Sequence, residues 1–148
     1  MNKEMKRIRL EDRIRNRFIE KGPWMMKVWD YKTPAAKELY IRLGAPYKRK
    51  KLLNEEDIQN YRELIGFDEN TEHMKKVIDW CSDFPLRCKN VFENNAYGLK
   101  HVCEREIGEY VSDEQCALGF YFCGRKVYVI LDPMYADGMA YKVMREFI

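Results

Sequence analysis

Residues 97–124 read YGLKHVCEREIGEYVSDEQCALGFYFCG, and their punctuation decides the fold. Leu99, Val102, Cys103 and Ile107 recur at helical spacing, and Gly108 follows as the residue that tolerates a left-handed helix end. Ser112 with Gln115 three positions later is a capping box, in which the hydroxyl accepts from a free backbone N–H and the amide reaches back to the cap. A second helix therefore starts at Asp113 and runs through Ala117, Leu118, Phe120 and Tyr121 to Gly124. The next residues, RKVYVILD, change to a strand pattern. Helix, turn, helix, strand suits the second half of a winged helix-turn-helix, although two helices on a short turn also occur in proteins that never touch DNA.

Outward from this stretch the chain reads as mainly helical. A helix is expected over residues 2–20, closed by Gly22 and Pro23, with Leu10, Ile14 and Phe18 as its apolar stripe. Lys6, Arg9, Arg13 and Arg17 form a parallel cationic stripe, which suits a polyanion and equally suits a solvated face. Residues 23–32, PWMMKVWDYK, read as a short extended segment or loop that packs. Thr33 and Pro34 open a helix that Gly44 closes, and APYKRKKLL then reads as a loop placing Lys48, Arg49, Lys50 and Lys51 beside Tyr47, an aromatic able to stack on a base. Asn54 caps a helix carrying Ile58, Tyr61, Leu64 and Ile65 up to Gly66. Another opens near Asn70 or Thr71, carries Met74, Val77, Ile78 and Cys81, and breaks at Asp83 and Pro85. A helical turn over residues 86–92 precedes a polar break at Glu93, Asn94 and Asn95. After Gly124, RKVYVILD and MAYKVMREF flank Asp132-Pro133 and Asp137-Gly138, which reads as a β-hairpin, with a short C-terminal helix as the alternative for the last segment. The expected fold is α+β, mainly α: one domain over residues 1–148 with about five or six helices, a C-terminal β-hairpin, and a winged helix-turn-helix-like C-terminal end.

Composition narrows the function. The length of 148 residues suits one domain, and 34% charged residues with no long apolar run exclude a membrane span. The N-terminus MNKEMKRIRL lacks the apolar core and cleavage site of a secretory signal, so a cytoplasmic location is expected. Five cysteines, an odd number with no CxxC pair, read as reduced thiols and not as a zinc site, and no metal or cofactor is expected. The net charge of +3 hides an asymmetry: residues 1–51 hold 16 Lys and Arg against 6 Asp and Glu, a net +10, while residues 52–148 hold 11 against 18, a net −7. A front of this kind meets an anionic target, the acidic remainder of its own chain, or a second copy. His73 and His101 have no obvious local partner beyond Glu104 or Glu106 for His101, and phosphate loops, dinucleotide-binding glycines, HExxH and GxSxG are all missing, so the chain reads as non-enzymatic.

Tyr97, Gly98, Leu99, Lys100 and His101, with Glu104 and then Tyr110, Val111 and Ser112, give the segment YGLKH…E…YVS. In it the chain resembles a group of small proteins of bacterial phages and mobile elements. The resemblance covers about a quarter of the chain and fades after Ser112, where those proteins often continue with Asn and this chain has Asp113. It implies a bacterial host cell and an action by binding an operator, a replication intermediate or a host defence complex, anti-CRISPR inhibitors being of the last kind. Two functions follow as expectations. In the first, Lys6, Arg9, Arg13, Arg17, Tyr47, Lys48, Arg49, Lys50 and Lys51 engage nucleic acid. In the second, the chain binds and inhibits a nucleic-acid-guided nuclease. A homodimer with basic front on acidic rear is the third arrangement. The helix from Asp113 has no Lys or Arg and opens on Asp113 and Glu114, so the basic half is the expected contact and not that helix.

Overall fold

The computed structural model describes residues 38, 39, 41–44, 49–86, 94–131 and 139–148. The fold is α+β and mainly helical, with four helices and a three-stranded antiparallel sheet among these residues. The elements in chain order are β1 (Arg49–Leu52), α1 (Glu55–Ile65), α2 (Glu72–Asp83), α3 (Ala96–Ile107), α4 (Asp113–Phe122), β2 (Arg125–Leu131) and β3 (Met139–Phe147). The helix expected over residues 2–20 and the segment 23–32 lie outside the described residues, as does most of the turn expected over 86–92; Leu86 itself follows Pro85 without helical structure.

Tertiary contacts divide the chain into two compact units. In the first, the helical residues 38, 39, 41 and 42 end at Gly44, whose positive φ of 96° matches the stop expected there. Leu39 and Leu43 are buried, as are Ile58 and Tyr61 of α1. Arg42 fastens the unit by donating to Glu38 Oε1 at 2.9 Å, Asn60 Oδ1 at 3.4 Å and Glu63 Oε1 at 3.5 Å. Of the four residues expected on one apolar face of α1, Ile58 and Tyr61 are buried, Leu64 is half-buried and Ile65 is exposed, so the stripe covers only the middle of the helix.

The second unit packs α2, α3 and α4 together beside the sheet residues it contains. Each helix start is satisfied by a short polar side chain at its orphan N–H groups. Thr71 Oγ1 accepts from Met74 N at 3.2 Å, and Asn95 Oδ1 from Tyr97 N at 2.8 Å. The capping box is complete, with Gln115 N donating to Ser112 Oγ at 3.1 Å and Ser112 N to Gln115 Oε1 at 3.0 Å. Gly108 closes α3 at φ 75°, donating its N–H to the Glu104 carbonyl, and Phe84, held before Pro85, closes α2.

Within this unit α4 is the centre. Cys116, Ala117, Leu118, Gly119, Phe120 and Tyr121 are all buried in a helix of ten residues. A helix-turn-helix protein presents its second helix to a groove, whereas here that helix is wrapped by α2 and α3. Burying this length of apolar chain yields more than exposing it, at about 1.5–3 kcal/mol for each large side chain.

Candidate nucleic-acid interface

The hairpin expected after Gly124 forms, and its last segment is strand, not helix, because its alternation pairs β3 with β2. A third strand joins it: β1 lies beside β2, giving the order β1-β2-β3. The basic residues Arg49, Lys50 and Lys51, expected in a loop, are therefore in an edge strand. Leu53 is buried and its N–H donates to the Val127 carbonyl at 2.9 Å, so the chain just before α1 is drawn onto the hairpin.

Period-two alternation sorts the sheet's side chains. In β2, Val127, Val129 and Leu131 are buried while Lys126, Tyr128 and Ile130 are half-buried; in β3, Met139, Tyr141 and Val143 are buried while Ala140, Lys142 and Met144 are half-buried. Lys50 Nζ stands 4.3 Å from the centroid of the Tyr128 ring, which puts Lys50 on this second, outer face, and exposed Leu52 shares its parity. The outer face is thus a tyrosine with apolar neighbours and one lysine from each strand, Lys50, Lys126 and Lys142, together with Glu146, which shares the parity of Lys142. Over the three strands there are seven Lys and Arg against the single Glu146, whereas α2, α3 and α4 carry four against seven Asp and Glu. At one end Arg125 lies 3.9 Å from the centroid of Phe147 and donates to the Arg145 carbonyl, so it fastens the hairpin.

Of the residues singled out from sequence, Lys6, Arg9, Arg13, Arg17, Tyr47 and Lys48 lie outside the described residues. Arg49 and Lys50 are exposed and Lys51 is half-buried. The guanidinium of Arg49 lies beside Gly44, where a Cβ would come within 2.6 Å of it. Lys126, Tyr128 and Lys142 were missed. The signal was present in the alternation of RKVYVILD and MAYKVMREF, but only the docking of β1 makes one surface of them.

The YGLKH segment forms a different feature, in which most polar groups face each other. Glu104 Oε1 accepts from Val111 N at 3.1 Å and its Oε2 lies 3.3 Å from His101 Nδ1. Lys100 lies 3.7 Å from Asp113 and 3.9 Å from Glu104, with the Tyr97 and Tyr110 rings 5.6 Å and 5.2 Å from its Nζ. His73 finds its partners across the fold and not along its helix: Nδ1 is 3.4 Å from Glu109 and Nε2 is 3.1 Å from Gln115. Lys76 donates to Glu109 at 2.7 Å, and the Trp80 indole donates to Glu106. These contacts tie α2 and α3 to the turn before α4.

The Val111 N–H, with Lys100 and His101, holds the Glu104 carboxyl below its ordinary 4.5, and Lys76 and His73 do the same for Glu109. Both folded values are depressed, so the stabilisation is fully present above pH 4.5 and is lost as pH falls through the folded values. The urea midpoint is expected to decline below that pH, and Glu104→Gln with Glu109→Gln to flatten the decline; an unchanged acid slope in the double variant would exclude these two groups as its source.

Among the described residues the thiols show no reactive environment. Cys81, Cys103 and Cys116 are buried and unpaired as disulfides, and Cys88 lies outside the described residues. Burial pushes the Cys103 thiol up to about 12 and raises Cys81 and Cys123 as well. Among the described residues no group of three His, Cys, Asp or Glu is placed to hold a metal ion, and no helix is long and apolar enough to cross a membrane. Compared with family models, curated proteins and solved structures, the chain matches none.

Proposed function

We propose that this chain is a non-enzymatic nucleic-acid-binding protein, of phage or mobile-element type, that contacts phosphates through a basic surface to which the three strands contribute. The observation that carries the reading is the outer face of the sheet, where Lys50 stands over Tyr128 and Lys126 and Lys142 share the face with it, three lysines against the single carboxylate Glu146. Counterion release from such a surface supplies affinity without a base-reading helix. The cationic stripe of Lys6, Arg9, Arg13 and Arg17 and the run from Lys48 add to the same charge excess in residues 1–51.

Fluorescence anisotropy of a labelled oligonucleotide tests it. With three to four phosphates neutralised, affinity for a single strand is expected to fall about 20- to 50-fold between about 50 and about 200 mM salt. Replacing Lys50, Lys126 and Lys142 together by alanine is expected to shrink both the affinity and the salt slope. Binding that ignores salt, or a triple variant that binds like the parent, would overturn the reading.

A second reading has its own observation. Tyr97 and Tyr110 are 60% and 71% exposed and flank Lys100, a pair of aromatic anchors of the kind that protein interfaces use. On this reading the chain inhibits a nucleic-acid-guided nuclease by docking on it. Co-purification with the nuclease, lost in Tyr97→Ala with Tyr110→Ala and accompanied by no shift of any oligonucleotide, would favour it.

A further inference from the structure

Resting on the nucleic-acid reading above, we infer that the ligand is single-stranded and that one of its bases stacks on Tyr128. Tyr128 sits on the middle strand with a lysine-bearing strand on either side. Adjacent strands lie about 4.8 Å apart, so the lysine-lined strip is about 10 Å wide, the scale of one extended strand of nucleotides. The helix of the helix-turn-helix-like segment is buried and opens on two carboxylates, so it supplies no element to enter a major groove. A sheet face with an aromatic ring among cations reads unpaired bases, whose π-faces are free only when the duplex is open.

The Lys50 contact shows how the ring is kept available. Its Nζ stands over the Tyr128 ring, and Lys50 is exposed, so its stem is free to swing aside. An exposed cation–π contact is worth about two- to fivefold in an equilibrium, and a base stacked on an aromatic about five- to 150-fold. An incoming base therefore displaces the ammonium, which then pairs with the adjacent phosphate. Leu52, Ile130 and Met144 on the same face offer apolar contact to the sugar and the base edge.

The test measures anisotropy at low salt on the full chain, with oligo(dT) and oligo(U) of about 12 nucleotides, a duplex of equal length, heparin, and phosphatidylserine vesicles. Both single strands are expected to bind at least about tenfold more tightly than the duplex. Tyr128→Leu is expected to cost about tenfold on the single strands and nothing on heparin, while Tyr128→Phe, which keeps the ring, retains binding. Circular dichroism of both variants separates lost binding from lost fold, and the Phe variant keeps the test decisive if the Leu variant unfolds, since single-strand binding lost in a folded Phe variant would count against a stack. Equal affinity for duplex, preference for vesicles, or a folded Tyr128→Leu variant with parental single-strand affinity would overturn the inference. If the lysine triple variant also leaves heparin and every oligonucleotide unaffected, the basic-face reading falls with it; if it weakens them while Tyr128→Leu does not, only the single-strand inference falls.

Discussion

Phe120→Ala is expected to lose about 3–5 kcal/mol of stability, a large share of the roughly 5–15 kcal/mol that holds a domain together. Phe120 is fully buried in the middle of α4, with its ring edge-on to Trp80 at 6.0 Å and to Phe84 at 6.4 Å. Trp80 and Phe84 in turn stack on each other at 4.6 Å, so the phenyl group is the inner member of a three-ring cluster that joins α4 to the end of α2. Removing it leaves a cavity that stiff neighbours cannot fill and forfeits two ring pairs as well as the transfer energy. Urea unfolding followed by tryptophan fluorescence and by far-UV circular dichroism measures the loss. Tyr110→Ala, at a ring that is mostly exposed, is the control and is expected to stay within about 0.5 kcal/mol of the parent. A loss below about 1 kcal/mol for Phe120→Ala would mean that α4 is not the core helix, because core truncations of this size cost several times more.

Two helical glycines are expected to respond with opposite sign. At Gly119 a Cβ would lie 2.8 Å from Cys81 Sγ and 2.9 Å from Val77 Cγ1, both on buried residues of α2. Val77 is β-branched and held in one rotamer, so neither side chain yields without moving α2 off α4. Gly119→Val is therefore expected to destabilise by about 3 kcal/mol through overpacking, outweighing the backbone entropy that any larger residue would save. At Gly98, on the exposed face of α3, a Cβ meets nothing within 4 Å, and Gly98→Ala is expected to stabilise by about 0.5–1 kcal/mol. Thermal and urea midpoints of the pair read the difference directly. Two glycines shifting stability in the same direction would show that α2 and α4 do not approach as closely as these distances require.

Much of this architecture was legible because the interactions that set it are local. Ser112 and Gln115 are three residues apart, Gly108 lies one residue past α3, and Thr71 lies one residue before α2; each acts on backbone groups within a turn of itself. The alternation of RKVYVILD likewise states which residues share a face. The partners of His73 were not legible, since Glu109 and Gln115 stand 36 and 42 positions away. Nor was the fate of Arg49, Lys50 and Lys51: a run of cations reads as a loop unless some distant strand offers it hydrogen bonds.

By itself, then, the amino-acid order determined where helices begin and stop, that a hairpin follows Gly124, and that positive charge concentrates in residues 1–51. Capping, φ preferences and period-two patterning act over a few residues, and side-chain chemistry alone specifies them. Only the tertiary structure decided that α4 is swallowed by its neighbours and that β1 pairs with β2, bringing Lys50 over Tyr128 and onto the sheet face that carries Lys126 and Lys142. Those outcomes depend on which apolar faces bury each other across long stretches of chain, and that competition is settled by packing, which no local window contains.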